Sequence, residues 1–442
     1  MITDNTADYG GGAIFCDVNS NPLITGCDIS YNYCGSGRYD TNQVQLGGGI
    51  YCRNAGPTIN DCNISYNQVE GGWKTANGGG IACEDSNVMI MDSAIYENDC
   101  WAHYGDPKDS FDPNFSQHGG GIYCHGGNPI IWNCAVIWND AKWSGGGIAV
   151  LDCNALIIGC DVLDNDCWAS GAGIYSEGSP GPNDTNIPAM PNCYIKNCLI
   201  AQNWGAWNGG VSLSYGSFAQ IENCTIADNK VDWDFDIGGL ECYYGEAFVV
   251  NSIIWGNMHR QIYGIRNVND ANFAAVIYSD IQADVNGIPN PDPNSRWQGV
   301  GNINANPLFA NPVRRDYHLQ SEYGRWNPET GLHDINDTAT SPCIDAGNPF
   351  SDYSNEPEDN GGRINMGAYG NTWQASLSGS GVIRFVPADI NKDGNVNFLD
   401  YAILADNWLL QGAAIINERA DVNNDGIVDM DDLAIFCSFW LW

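Results

Sequence analysis

Three aspartates, Asp99, Asp140 and Asp166, each stand directly after an asparagine. Three or four residues past the same asparagines come Trp101, Trp143 and Trp168, continued by Trp207 and Trp233, with Trp73 in the loop before them. Carboxyl groups held side by side are the equipment of glycosidic-bond cleavage: one protonates the leaving oxygen while another acts as base or nucleophile. Indole rings offer flat apolar faces on which the C–H face of a sugar stacks. His103 and His118, in the long insertion over 99–118, are placed to assist. Arg53, Glu84 and His125 form a second outward column, read as solvated surface.

A different chemistry is written at the C-terminal end. Asp389, Asn391, Asp393, Asn397 and Asp400 set oxygen ligands at positions 1, 3, 5, 9 and 12 of a loop, with Gly394 at position 6 for the sharp bend and the carbonyl of Asn395 at position 7. This is the spacing of a calcium loop. Asp421, Asn423, Asp425, Asp429 and Asp432 repeat it 32 residues on, with Gly426 at the bend and the carbonyl of Ile427 at position 7. Two Ca2+ ions are expected. An apolar helix follows each loop, and Ala402, Ile403, Trp408 and Leu409 match Ala434, Ile435, Trp440 and Leu441.

What positions the aspartates is a repeat. Gly-Gly-Gly-Ile recurs at 47–50, 78–81, 119–122 and 145–148, and between copies runs Asn-Cys-Xaa-Ile or a close variant, ending in an asparagine. Asn139 and Asn165 are 26 residues apart, and longer copies carry their extra residues between the asparagine and the glycines. A unit this short cannot bury its own apolar face, so neighbours must stack. Short β-branched strands with glycine turns stack as parallel sheets roughly 4.8 Å apart, which makes each alignment column a physical ladder. Asn32, Asn67, Asn98, Asn139, Asn165, Asn203, Asn229 and Asn257 form the clearest column. A buried amide there donates to one neighbour and accepts from the other, and losing a partner costs roughly 1–3 kcal/mol.

Cysteines fill two further columns. One is Cys16, Cys52, Cys83, Cys124 and Cys242, interrupted by Val150, Ser176 and Leu213; the other includes Cys27, Cys62, Cys134, Cys160, Cys198 and Cys224. Exchange with Val, Leu and Ser marks small interior slots, so stacked free thiols are the favoured reading. Disulfides between adjacent rungs stay open.

The fold class is therefore all-β, a parallel β-helix followed by a small helical calcium module. Residues 1 to about 300 resemble the right-handed parallel β-helix proteins of the pectate-lyase-like superfamily. The segment 305–371, with Ala305-Asn306-Pro307-Leu308-Phe309, Asp316-Tyr317-His318-Leu319 and Gly361-Gly362-Arg363-Ile364-Asn365, resembles the choice-of-anchor Q segment, and we expect it to cap the open last rung. Residues 387–442 resemble a type I dockerin, which implies docking onto a cohesin-type scaffold. Loop positions 10 and 11, often Ser or Thr in that family, are Phe398-Leu399 and Met430-Asp431 here. The domain expectation is a β-helix over 1–304, a capping segment over 305–375, a linker over 376–386 and the calcium module over 387–442.

Charge narrows the partners. Of 442 residues, 53 are acidic and 17 basic, a net charge of −36 that repels nucleic acid and disfavours an acidic glycan. No apolar run approaches the roughly 20 residues of a membrane span. Met1-Ile2-Thr3-Asp4-Asn5 matches the middle of a unit, so the N-terminus reads as truncated and the missing targeting peptide says nothing of compartment. The expectation is a secreted, monomeric protein that acts on a plant-type polysaccharide as a glycoside hydrolase through its Trp- and Asp-lined edge. Two alternatives stay open. One is a non-catalytic carbohydrate-binding adhesin or cell-surface structural protein that uses the same edge only to bind; the other is a calcium-dependent lyase, for which Lys142 is the basic side chain adjoining the cluster.

Overall fold

The computed structural model of the protein describes residues 1–35, 44–71, 75–102, 117–178, 192–233, 236–264, 274–282, 284–285, 288–289, 299–358, 360–378, 390, 398–412, 416–417, 420–422 and 427–438.

The repeat winds into a parallel β-helix. Each rung contributes a strand in turn to a ten-stranded sheet running from Ile2–Thr3 to Asp280–Ile281 (sheet 1), to an eight-stranded sheet from Thr6–Ala7 to Lys230–Val231 (sheet 2), and to two nine-stranded sheets, Ile14–Cys16 to Ile262–Gly264 (sheet 3) and Leu23–Thr25 to Ala274–Ile277 (sheet 4). Strands of two to five residues alternate in and out, and the inward β-branched residues stack in register, as with Ile64 on Ile95 and Ile95 on Val136. All three are fully buried.

Two local devices fix the cross-section. The residue before each ladder asparagine from Asn32 to Asn229, namely Tyr31, Tyr66, Glu97, Trp138, Asp164, Gln202 and Asp228, is left-handed with φ between 51° and 61°, and Gly256 before Asn257 is at 71°. That sharp turn swings the asparagine inward. Its side-chain amide then donates to the Oδ1 of the next rung's asparagine at 2.8–3.0 Å, from Asn32 through to Asn257. The glycine triplets explain themselves sterically. The first glycine takes φ of 68–72° at Gly47, Gly78, Gly119 and Gly145. The second has no room for a side chain: a Cβ on Gly79 would lie 2.6 Å from the Asp99 amide nitrogen, on Gly120 2.4 Å from the Asp140 carbonyl oxygen, and on Gly146 2.1 Å from that of Asp166.

The cysteine columns lie in register inside, Cys16 on Cys52 on Cys83 on Cys124, and every cysteine of the chain is unpaired. In the other column thiols donate to backbone carbonyls, as Cys134 does to Ile90 and Cys224 to Ile195.

The segment after the helix departs from the expected end cap. Residues 299–305 do extend the last rung, with the Ile281 amide bonded to the Ile303 carbonyl and the Ala305 amide to Asp280. From Phe309 onward, however, the chain turns back along the outer face of sheet 1. Tyr317 and Ala368 pack on Leu163, Leu199, Ala201 and Ala227, and Asn197 and Asn223 donate to the carbonyls of Ala368 and Asn365. The cause is legible in the outward positions of sheet 1, which change from Asn63, Ser65 and Tyr96 on early rungs to Ile137, Leu163 and Leu199 on later ones. That apolar stripe must be covered, and the segment covers it.

Among the described residues the C-terminal part holds two helices, α1 (Phe398–Asp406) and α2 (Met430–Ser438). Ile390, Leu404, Ala420, Val428 and Phe436 form its own small core.

Candidate functional site: a carboxyl column on sheet 2

The outward column of sheet 2 places Gln68, Asp99, Asp140, Asp166, Trp204 and Lys230 on successive rungs. The three aspartates are thus direct neighbours in register, about 4.8 Å apart along the axis. Like charges this close cannot all ionise, and burial adds to the penalty. Asp99 is pushed up to about 8, first by burial and then by Asp140 and Glu70. Asp166 rises to about 7, by burial and by the charges of Asp140 and Asp232. Asp140, in the middle, rises only to about 6, because the Lys142 ammonium and a hydrogen bond from the Trp101 indole favour its charged form against burial. One buried oxygen of Asp99 and one of Asp166 have no hydrogen-bond partner.

Two residues past the aspartates stands a second column. Trp101 and Trp168 flank Lys142, whose ammonium lies 5.2 Å and 4.3 Å from the two ring centroids. The expected single run of indoles is therefore divided. Trp143 sits one position further, its amide bonded to the Gln117 carbonyl, and meets Trp207 edge-on at 6.4 Å. Trp233 is exposed. Trp73 and His103 lie outside the described residues. His118 is buried rather than poised over the aspartates: its ring stacks on Tyr175 at 5.4 Å, and burial drops it to about 4, so it is neutral.

Sequence reasoning passed over two members of the site. Glu70 pairs in register with Trp101 and accepts a hydrogen bond from the Tyr33 hydroxyl at 2.6 Å. Trp204 extends the aspartate column directly, and its position one residue after Asn203 was the available signal. The Arg53, Glu84 and His125 column is in register on sheet 3, where Arg53 pairs with Asp17 at 2.7 Å and Glu84 with the Tyr51 hydroxyl at 2.5 Å.

In the C-terminal module, Asp400 and Asp432 close the two loops at position 12 and are fully buried. Asp432 accepts from the amides of Val422 at 2.6 Å and Asp429 at 2.8 Å. The stretch after α1 is tied to the second loop by the Gln411–Ile427 bridge and by the Leu409 amide on the Val428 carbonyl at 2.8 Å. All-oxygen donors around a buried carboxylate fit a hard cation such as calcium. Of the calcium ligands expected from the sequence, Asp400, Asp421, Ile427, Asp429 and Asp432 lie within the described residues; Asp389, Asn391, Asp393, Asn395, Asn397, Asn423 and Asp425 lie outside them. Among the described residues, no group of three or more His, Cys, Asp or Glu side chains gathers into a metal site.

Comparison with protein families finds three matching stretches. Residues 109–280 match the family model described as right handed beta helix region, and 387–437 match the dockerin type I domain. Residues 249–347 match one described as disaggregatase related, which overlaps the segment resembling choice-of-anchor Q. No curated protein and no solved structure matches. The chain thus joins a right-handed parallel β-helix to a dockerin-type module. Dockerin type I domains generally bind calcium and dock on a cohesin partner, and the proteins that carry them are typically extracellular or on the cell surface. No described helix is long and apolar enough to cross a membrane. The β-helix is a fold consistent with polysaccharide-active enzymes.

Proposed function

We propose that this chain is a secreted polysaccharide-active protein that cleaves glycosidic bonds at the sheet 2 column and is held on a cohesin-type scaffold by its calcium-loaded C-terminal module. The observation that carries the reading is the in-register Asp99–Asp140–Asp166 column with its divided ionisation. Asp99 keeps its proton at neutral pH and serves as the acid, while Asp140 is ionised and serves as nucleophile or base. Adjacent rungs, about 4.8 Å apart, come near the roughly 5–5.5 Å of a retaining pair; Asp99 and Asp166, two rungs apart, approach the roughly 6.5–9.5 Å of an inverting one. Trp101, Trp168 and Trp204, each over a third exposed, lie beside these carboxyls to hold the sugar chain. The strongly acidic surface favours a neutral or weakly charged plant-type polysaccharide.

The clamp of Lys142 between Trp101 and Trp168 favours a second reading, in which the indoles are partly covered and the edge only binds. Reducing-sugar release from a panel of polysaccharides separates the two. Release that Asp140→Asn abolishes supports hydrolysis. Binding without release, or release unaffected by that substitution, removes the enzyme. Absorbance from an unsaturated product would mark a lyase instead, with Lys142 as its base.

A further inference from the structure

Where the returning segment lies against sheet 1, it leaves a cleft of about 640 Å³ on a different flank from the carboxyl column. Its size falls within the usual range for small-molecule sites. One wall is the β-helix, with Asp161 and Asn197; the other is the returning segment, with His318, Trp326, Trp373 and Gln374. Trp326 and Trp373 stand at 83° with centroids 4.3 Å apart and make an aromatic corner, and Trp373 is 58% exposed.

The polar groups of this cleft are held in place. His318 is buried, stacks on Tyr369 at 3.7 Å, and has Nδ1 2.7 Å from Asp316 and Nε2 3.2 Å from Gln374. Asp316 is held in turn by Arg325 at 3.1 Å, and Arg325 by Asp337 at 3.0 Å. This chain of contacts fixes the Gln374 amide at the cleft wall. Asp161 is exposed to solvent at its outer side, with protein packed around its inner side. That burial pushes it up to about 6, against the favourable charge of His318. An ionised carboxylate and a fixed primary amide beside a right-angled aromatic corner are complementary to one class of ligand, a ring with an apolar face and a rim of hydroxyls.

We propose that this cleft is a second saccharide site, which binds an uncharged sugar unit with its C–H face on Trp326 and Trp373 and its hydroxyls on Asp161 and Gln374. An acidic sugar is disfavoured by Asp161, and of the flanking cations Arg315 is held by Asp164 at 2.8 Å and lies over Trp138, while Arg314 is exposed with Glu329 4.0 Å away. The site stands independently of catalysis at the carboxyl column. It would let the protein hold one chain while another part of the surface acts.

The test is calorimetric titration of the calcium-loaded full chain with short neutral oligosaccharides of the cello, xylo and manno series. Binding by the parent is expected, with affinity falling about tenfold or more in Trp373→Ala and in Asp161→Ala. Both residues are solvent-accessible, so thermal melts should match the parent. Trp168→Ala alters only the carboxyl column, so it should remove at most the column's share of the heat and leave intact the binding component that Trp373→Ala abolishes. Binding lost in Trp168→Ala but kept in Trp373→Ala would place the sugar on the column and overturn the proposal. Absence of binding across all three series would overturn it as well. Loss of hydrolysis in Asp140→Asn with the titration intact bears only on the column.

Discussion

Replacing Asp99 by asparagine should make the protein more stable at neutral pH while removing its proposed acid. In the native state the Asp99 carboxyl rises from 3.8 to about 8. Between those values the folded chain binds a proton that the unfolded chain has released, so stability falls as pH rises through the window and is level outside it. At about 1.4 kcal/mol per unit, the roughly three units between 3.8 and pH 7 correspond to about 4 kcal/mol opposing folding, and water at the outer oxygen reduces this to about 2 kcal/mol. Asparagine has the same shape, carries no charge beside Asp140 and Glu70, and does not titrate. Denaturant unfolding of both proteins in calcium, followed by the β-sheet circular dichroism, should show the variant ahead by about 2 kcal/mol near pH 7 and level near pH 4. Parallel stability profiles for parent and variant, or a variant weakened more at pH 7 than at pH 4, would refute the account of the column.

Other perturbations read other parts of the molecule. Asn139→Ala removes an amide that donates to Asn165 and to the carbonyls of Ile95 and Ile137 and accepts from Asn98; the buried groups left behind should lower stability by about 3–5 kcal/mol, measurable in the same unfolding experiment. Excess chelator should melt α1 and α2 and leave the β-helix folded, seen as loss of the helical dichroism with the sheet signal intact; unchanged helicity would refute calcium as the ion that orders the module.

The solenoid was legible because a repeat turns each local choice into a column that can be checked against its neighbours. The asparagine ladder, the interior thiols and the in-register aspartates all follow from that one property. The indole track was less legible, since a tryptophan three residues past the asparagine and one four residues past it face different directions. Trp101 and Trp168 accordingly close on Lys142 while Trp143 turns to Trp207. His118 looked accessible because an insertion precedes it, yet its own strand carries it inside against Tyr175. The returning segment is not periodic. Its place on sheet 1 was announced only by the apolar outward residues Ile137, Leu163 and Leu199, and the cleft follows from that placement.

The same placement has a mechanical consequence. Rungs of a solenoid ordinarily hold only their nearest neighbours and peel off one by one when an end is pulled. Here the chain runs back across several coils before it reaches the module expected to grip a scaffold. A load applied through that module meets Tyr317, Ala368 and Asn365 along the flank, so it is resisted in shear by many contacts at once rather than by unzipping of the terminal coil.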